Sequence, residues 1–281
     1  MLTIPPEQTR CAVWGSPVAH SLSPVLHRAA HVALGLTAWS YDRGEVGAEG
    51  FAAALHALDE TWRGLSLTMP LKEVAAGVAT SVDAVARRTA AVNTLVRRDD
   101  GGWDATNTDV VGLVRALAPH LPDVPARALV LGAGATARSA VLGLAELGVT
   151  TLTVRARDTS RAADLLAWAL DLGAGIRNGS VAGLGPWVTT RDDVVVSTLP
   201  GWAGEVAAAS VPAAHPGVLL DVVYAGWPTP IARAASGAGM TVVSGLDMLV
   251  HQAAEQFRLF TGHEAPVEAM AAAGRAALGQ A

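Results

Sequence analysis

The sequence predicts an α/β fold built on parallel sheets. Short runs rich in β-branched residues alternate along the chain with alanine-rich stretches of helical periodicity, the pattern of strands joined by covering helices. A glycine-rich turn at residues 132–137 stands between an apolar strand and an apolar-periodic helix, as in parallel α/β sheets that bind a ligand at a helix start. The length of 281 residues suits one large domain or two medium ones.

The composition excludes several classes of protein. Apolar residues make up 51% of the chain and charged residues 16%, which is unlike a disordered sequence. The net charge is −5 and basic residues never run beyond pairs, so no nucleic-acid surface is expected. No stretch approaches the roughly 20 apolar residues of a membrane helix, and residues 1–10 lack the pattern of a signal peptide. We therefore expect a cytoplasmic protein in which the single cysteine, Cys11, packs as a small apolar residue.

Each predicted element follows from local pattern and from helix-start and turn residues. In the first part of the chain we predict strands at 11–15, 38–42 and 65–68, helices at 23–34 and 48–58, a helix begun by Pro70, a hairpin of 91–96 with 102–106, and a helix at 108–118. A proline-bearing connection at 120–125 follows. Beyond it we predict strands at 128–131, 151–155, 194–197, 218–223 and 240–243, and helices at 136–147, from a cap at Thr159 or Ser160 to 172, at 246–260 and at 266–278.

Residues 132–137, Gly-Ala-Gly-Ala-Thr-Ala, fit the pattern G-x-G-x-x-G/A. Gly132 allows a tight turn, Gly134 lets the backbone approach a pyrophosphate, and the small Ala137 lets helix and strand pack closely. The phosphates would lie over the helix N-terminus. The alternative is a tight strand-to-helix turn without a ligand. The position of the pattern between a strand and a helix favours nucleotide binding.

The residues after the next strand bear on the choice of nucleotide. Sites for NAD usually have an acidic residue about 20 positions beyond the turn, whereas an arginine suits the 2′-phosphate of NADP. The sequence has Arg155 and Arg157 there, which favours NADP. Asp158 follows them and either serves as that acidic residue or caps the next helix. Both arginines could also be a solvated strand end.

Polar side chains also follow the predicted strands of the first hundred residues. Ser21 and Ser23 stand at a helix start, where hydroxyls and free amides suit a carboxylate, although a simple helix cap is the alternative. Thr68 and Lys72, the only lysine of the chain, follow the third strand. Asn93 interrupts an apolar strand, where a buried amide needs partners.

Eight segments occur in the order seen in shikimate dehydrogenases, and the chain resembles that family from Val13 to its last helix. They are GSPVAHSLSP, LTMPLK, AVNTL, TNTDVVG, LGAGATAR, STLPG, DVVYAGWPTP and GLDMLVHQAAEQFRLFTG. The resemblance implies an α/β substrate-binding domain of residues 1–107 with returning helices at 245–281, a Rossmann NADP-binding domain of residues 108–244, and an active site in the cleft. It also implies the reversible, NADPH-dependent reduction of 3-dehydroshikimate to shikimate, on the route to chorismate and the aromatic amino acids.

The resemblance assigns roles to matching residues. Lys72 and Asp109 match the catalytic pair, although an aspartate at a helix start can also be only an N-cap. The residues that match the substrate site are Ser21, Ser23, Thr68, Asn93, Tyr224 and Gln252. Those that match the cofactor site, or compensate within it, are Gly132, Ala133, Gly134, Ala135, Arg155, Arg157, Thr198, Gly245 and Met248. No metal is expected.

The chain departs from the family pattern at a few positions. Ser66 and Ala156 stand where the family often has asparagine, and Asp247 where glycine is common. Two alternative functions stay open at this point: a quinate or quinate/shikimate dehydrogenase that uses NAD(P), and a non-catalytic NADP-binding homologue. The partner expected is a small molecule, and a homodimer is compatible with the sequence.

Overall fold

A computed structural model describes residues 8–121, 124–185 and 193–279. The described chain forms two compact units: one runs to Asp109 and resumes at Leu249, and the other extends from Val110 to Met248. Most of the segment used for the signal-peptide prediction, and residues 122–123 of the predicted connection, lie outside the described residues.

The secondary structure alternates strands and helices, as predicted. The strands are β1 (Thr9–Gly15), β2 (Trp39–Glu45), β3 (Trp62–Leu67), β4 (Ser81–Val82), β5 (Thr94–Arg97), β6 (Trp103–Thr106), β7 (Arg127–Leu131), β8 (Thr151–Ala156), β9 (Asn178–Gly183), β10 (Val194–Ser197), β11 (Val218–Asp221) and β12 (Thr241–Ser244). The helices are α1 (Ser23–Ala33), α2 (Phe51–His56), α3 (Ala84–Thr89), α4 (Asp109–Leu117), α5 (Ala135–Glu146), α6 (Thr159–Asp171), α7 (Gly204–Ala208), α8 (Pro230–Gly237), α9 (Gly245–Thr261) and α10 (Val267–Ala277).

The sheet of the first unit is mixed, with the order β2-β1-β3-β5-β6-β4. Strands β1, β2 and β3 are parallel, and the predicted hairpin of β5 and β6 is antiparallel. The carboxyl ends of β1 and β3 are therefore neighbours, which brings the segments after Gly15 and Leu67 to one edge of the sheet. Cys11 is 2% exposed in the core of this unit, which confirms its predicted apolar role.

The sheet of the second unit is entirely parallel, with the order β12-β11-β10-β7-β8-β9. Its central strands are buried on both faces; Val194, Val195 and Val196 have no exposed surface. The strand order reverses direction at β7, because β8 lies on one side of it and β10 on the other. Ligands of open parallel sheets bind at such a point, outside the carboxyl ends of the strands.

Some predicted elements differ from the structure. The helix predicted at Pro70 consists of two 3₁₀ turns, Leu71–Glu73 and Ala75–Gly77. Asn93 lies just before β5 and not inside it. Asp158, and not Thr159 or Ser160, caps α6 with its carboxylate. Elements missing from the prediction are short or weakly patterned: β4, α3, β9, α7 and α8.

Candidate active site

Lys72 and Asp109 form an ion pair in the first unit. Lys72 lies in the 3₁₀ turn after β3, and Asp109 is the first residue of α4. The Lys72 Nζ donates to Asp109 Oδ2 over 2.6 Å, and the two side chains are only 17% and 7% exposed. A charge-assisted hydrogen bond in such a sheltered position holds the ammonium group in a defined direction.

The cap of α4 is Asn107, so Asp109 is free to serve another purpose. The Asp109 backbone N–H donates to Asn107 Oδ1 over 2.9 Å. The Asn107 amide donates in turn to the Ala91 carbonyl over 3.0 Å and to the Thr89 hydroxyl over 3.1 Å. The Asp109 carboxylate therefore points to Lys72, and the simple N-cap interpretation of this aspartate is wrong.

Asn93 is the centre of the polar cluster around this ion pair. Its Nδ2 donates to Asp109 Oδ1 over 2.7 Å, to Thr108 Oγ1 over 3.0 Å and to Gln252 Oε1 over 3.3 Å. Its Oδ1 accepts from the Thr108 N–H over 2.8 Å and from the Thr94 hydroxyl over 2.7 Å. The expectation that this buried amide finds partners is confirmed. We call Lys72, Asp109, Asn93, Thr108 and Gln252 the Lys72 cluster.

Of the predicted carboxylate-binding serines, Ser21 lies in the loop between β1 and α1, and Ser23 is the first residue of α1. Ser23 is 5% exposed, and its N–H donates to Ser21 Oγ over 3.3 Å at the start of the helix. The preceding loop is held by Glu45, whose carboxylate accepts from the Ser16 hydroxyl over 2.7 Å and from the Val18 N–H over 3.2 Å. Sequence reasoning missed Glu45, because it ends a different strand.

Thr68 lies at the same edge of the sheet, directly after β3. Its N–H donates to the Trp14 carbonyl over 2.9 Å. A side chain at Gly15 would bring a Cβ to 2.3 Å from Thr68 Cγ2, so only glycine permits this close approach of the two strand ends. The structure thus brings Thr68 beside the end of the strand that leads to Ser21 and Ser23.

The glycine-rich turn of the second unit has the geometry expected of a phosphate site. Gly132 has φ of 110°, and a Cβ there would lie 2.3 Å from Thr198 Oγ1. The Thr198 hydroxyl donates to the Leu131 carbonyl over 2.9 Å, which fastens the end of β10 to the end of β7. A Cβ at Gly134 would point into open space with nothing within 4 Å. Bare backbone facing open space at the start of α5 fits the approach of a pyrophosphate.

Three arginines at and after the end of β8 have different surroundings. Arg155 is 6% exposed, and its guanidinium donates to the Gly185 carbonyl over 2.6 Å. Arg157 is exposed, with its guanidinium carbon 5.6 Å from the ring centroid of Trp202. Arg161, which sequence reasoning missed, is exposed and donates to the Ala133 carbonyl of the turn over 3.5 Å. Arg155 is therefore less accessible to a cofactor than Arg157 and Arg161, which are presented to solvent beside the turn, and its role in cofactor binding stays a prediction.

Asp158 does not take the place of the acidic residue of an NAD site. Its carboxylate accepts from the Ser160 N–H over 3.0 Å and from the Arg161 N–H over 3.3 Å, so it caps α6. The hydrogen bond from the Ser160 hydroxyl is the main cause that lowers the pKa of Asp158. The open alternative for this residue is thereby resolved in favour of the cap.

The remaining predicted residues of the second unit lie at or after strand ends. A Cβ at Gly245 would lie 2.2 Å from the Val222 carbonyl oxygen, so the start of α9 requires glycine. Met248 is 6% exposed and belongs to the apolar core of this unit, and Tyr224 is half-buried after β11. Within residues 8–121, 124–185 and 193–279, no group of three or more His, Cys, Asp or Glu side chains could hold a metal ion.

Comparisons with known families and solved structures agree with this arrangement. Residues 13–95 match the model of the shikimate dehydrogenase substrate-binding domain, and residues 245–273 match that of the shikimate 5′-dehydrogenase C-terminal domain. A shikimate dehydrogenase (NADP(+)) of Halobacterium salinarum is 39% identical over 273 residues, covering 94% of this chain and 97% of that protein.

Two crystal structures extend the likeness to three dimensions. The shikimate dehydrogenase of Mycobacterium tuberculosis is 43% identical, with a TM-score of 0.85 over 95% of this chain and 99% of that one. The shikimate 5-dehydrogenase of Thermus thermophilus, in complex with NADP(H) and shikimate, is 32% identical, with a TM-score of 0.81 over 96% of this chain and 100% of that one.

Proposed function

The chain belongs to the shikimate dehydrogenase family, and we propose that it interconverts 3-dehydroshikimate and shikimate with Lys72 and Asp109 as its catalytic pair. It is an NADP-dependent oxidoreductase. The observation that supports the choice of residues is the sheltered 2.6 Å ion pair, whose carboxylate is held by Asn93.

Reduction of the ketone places negative charge on the carbonyl oxygen, and Lys72 is suited to stabilise it. Bound NADPH supplies the hydride. The Lys72 ammonium group donates a hydrogen bond to the developing oxyanion and then gives it a proton. Asp109 orients the ammonium group and accepts from the new hydroxyl group. In the direction of shikimate oxidation, the same pair removes the hydroxyl proton.

The substrate would be held by polar groups that follow strands or begin helices. Ser21 and Ser23 would bind the carboxylate from the start of α1, with Tyr224 as a further donor. Thr68, Asn93 and Gln252 would bind the ring hydroxyls. Hydrogen bonds to each hydroxyl discriminate strongly against analogues that lack one, because buried polar groups would be left unpaired.

The cofactor would lie along the glycine-rich turn. The backbone from Gly132 to Ala135 would hold the pyrophosphate at the start of α5. Arg157 would bind the 2′-phosphate, with Arg161 beside it in place of Arg155. Gly245 and Met248 are predicted to line the nicotinamide, and Thr198 is predicted to contact the cofactor.

Initial rates with shikimate and quinate, each with NADP and with NAD, test this proposal. We expect the highest kcat/KM with shikimate and NADP. A higher kcat/KM with quinate and NAD would favour the quinate dehydrogenase alternative. Failure of the purified protein to oxidise either substrate would favour a non-catalytic homologue.

The cellular setting is also proposed. We infer a cytoplasmic location, as the composition predicts. We also propose that the protein can form a homodimer, which light scattering after gel filtration would test. In the part of the chain that the structure describes, no helix combines the length and the apolar character needed to cross a membrane.

A further inference from the structure

Gln256 is buried on α9, one turn after Gln252, and it contacts the segment that carries Asn93. Gln256 is only 1% exposed. Its Nε2 donates to the Asn93 backbone carbonyl over 3.1 Å and to Thr94 Oγ1 over 2.9 Å. The two glutamines of α9 thus hold Asn93 from two sides, since Gln252 accepts from the Asn93 side chain.

The bond to the Asn93 carbonyl fixes the orientation of the Gln256 amide. A backbone carbonyl can only accept, so the nitrogen of Gln256 must face it. Its oxygen then faces Ser66, whose hydroxyl donates to Gln256 Oε1 over 2.8 Å. Because Ser66 donates there, it accepts from the Tyr41 hydroxyl, over 2.6 Å. The Asn93 backbone carbonyl therefore determines which group donates and which accepts in each hydrogen bond between Tyr41 and Gln256.

The Thr94 hydroxyl links Gln256 to the Lys72 cluster. The Thr94 hydroxyl accepts from Gln256 and is left to donate to Asn93 Oδ1, over 2.7 Å. The Thr94 hydroxyl and the Thr108 N–H, which can only donate, together turn Asn93 Oδ1 to themselves, and Asn93 Nδ2 is turned to Asp109. Only this orientation lets the amide donate to the carboxylate that holds Lys72.

We propose that Gln256 is a positioning residue of the reaction: it orients the Asn93 amide through Thr94, and through Asn93 it holds Asp109 and Lys72 in place. The inference rests on the proposed function. It assigns a role to a residue outside the predicted substrate and cofactor sites. Small displacements of catalytic groups cost large factors in rate, so the effect is expected in kcat.

Replacement of Gln256 by methionine, which has a similar length and cannot make these bonds, tests the proposal. We expect kcat for shikimate oxidation to fall roughly tenfold and KM for NADP to stay unchanged. Phe257→Leu is the matched control, because Phe257 is the next residue of α9 and is fully buried. It should lower Tm and leave the kcat of the folded enzyme near that of wild type.

A double-mutant cycle separates positioning from a purely structural role. If Gln256 acts through Asn93, the double variant Gln256→Met/Asn93→Ala loses no more kcat than Asn93→Ala alone. Thr94→Val, which breaks only the side-chain link, should show a smaller loss of kcat and provides the test if Gln256→Met does not fold.

Three outcomes overturn the inference. Wild-type kcat in Gln256→Met or Thr94→Val with a lowered Tm would make the role purely structural. Losses of kcat that add in the double variant would show that Gln256 does not act through Asn93. Absence of shikimate oxidation by the wild-type enzyme would overturn the proposed function itself, and the inference with it, whereas an active wild type with unimpaired variants overturns the inference alone.

Discussion

The Lys72 cluster and the glycine-rich turn differ in how they are built. In the cluster, buried side chains bind one another: Asn93 is 1% exposed and makes hydrogen bonds with both of its amide atoms. At the turn, bare backbone faces open space at Gly134, and Arg157 and Arg161 are exposed beside it. The first region is held together by the protein's own side chains, whereas the second offers backbone and solvated charges.

The difference follows from what each region must do. Proton transfer and charge stabilisation need groups held in one geometry, and a network of hydrogen bonds provides that. A cofactor that binds and leaves in each cycle is held by backbone donors and by arginines that become ordered when it binds. Variants of the cluster should therefore change kcat, and variants of the turn should change cofactor affinity.

The largest effect is expected from Lys72→Ala. Loss of the ammonium group should lower kcat roughly 10²- to 10⁴-fold, because proton transfer and charge stabilisation are both removed. The Kd for NADPH, measured by fluorescence titration, should not change. Near-normal kcat in this variant would show that the assigned role is wrong.

Asp109→Asn should lower kcat about 10²-fold, because the amide no longer attracts and orients the ammonium group. The matched variant is Asn107→Ala, which removes the cap of α4 and should cost about 1 kcal/mol of stability. Chemical denaturation and steady-state rates on both variants check the pair. Equal losses of kcat in Asn107→Ala and Asp109→Asn would contradict the assignment of the helix cap to Asn107 and of the catalytic carboxylate to Asp109.

Arg157→Ala should weaken NADP binding roughly tenfold, because a charge-assisted hydrogen bond to the 2′-phosphate is lost. The Kd for NAD should not change, and Arg155→Ala should mainly lower Tm, since Arg155 bonds to the Gly185 carbonyl. Titration calorimetry with both nucleotides measures these effects. A selective loss of NADP affinity in Arg155→Ala would instead support the prediction that Arg155 binds the cofactor.

The last effect concerns stability at low pH and not activity. Burial lowers the pKa of His27 to about 3 from an ordinary value of 6.5, and its ring stacks on Tyr41 at 4.0 Å. Between these two values the unfolded chain binds a proton that the folded protein does not, so stability falls as the pH drops below about 6.5.

His27→Phe keeps a buried ring and removes this titration. The fall in the free energy of unfolding between pH 7 and pH 4 should be smaller in the variant than in wild type, as urea titrations at each pH would measure. His31, whose pKa burial lowers to about 4, should supply part of the remaining fall. If the free energy of unfolding had the same pH dependence in His27→Phe and in wild type, His27 would not be neutral in the folded state.

The sequence predicted the parallel α/β class, the glycine-rich turn and the residues that gather around Lys72, because strand-end positions and motif order are local features. Gln256 was not predicted, because four residues after Gln252 it resembles any polar residue of a helix. Only the structure shows that its side chain faces the segment that carries Asn93. Arg155 and Arg157 looked equivalent beside the turn. The structure separates them because Arg155 still belongs to β8 and bonds to Gly185, whereas Arg157 lies beyond the strand end.

We expect the protein's own side chains to hold the Lys72 cluster in its working geometry before any ligand binds. Because Lys72 is the only lysine, ¹⁵N-lysine labelling gives a single side-chain ammonium resonance. We predict a signal protected from exchange with water in the free enzyme, unchanged by NADP, shifted by shikimate and lost in Asp109→Asn. A resonance typical of a freely exchanging surface lysine, identical in wild type and Asp109→Asn, would show that Asp109 does not hold Lys72 in the free enzyme.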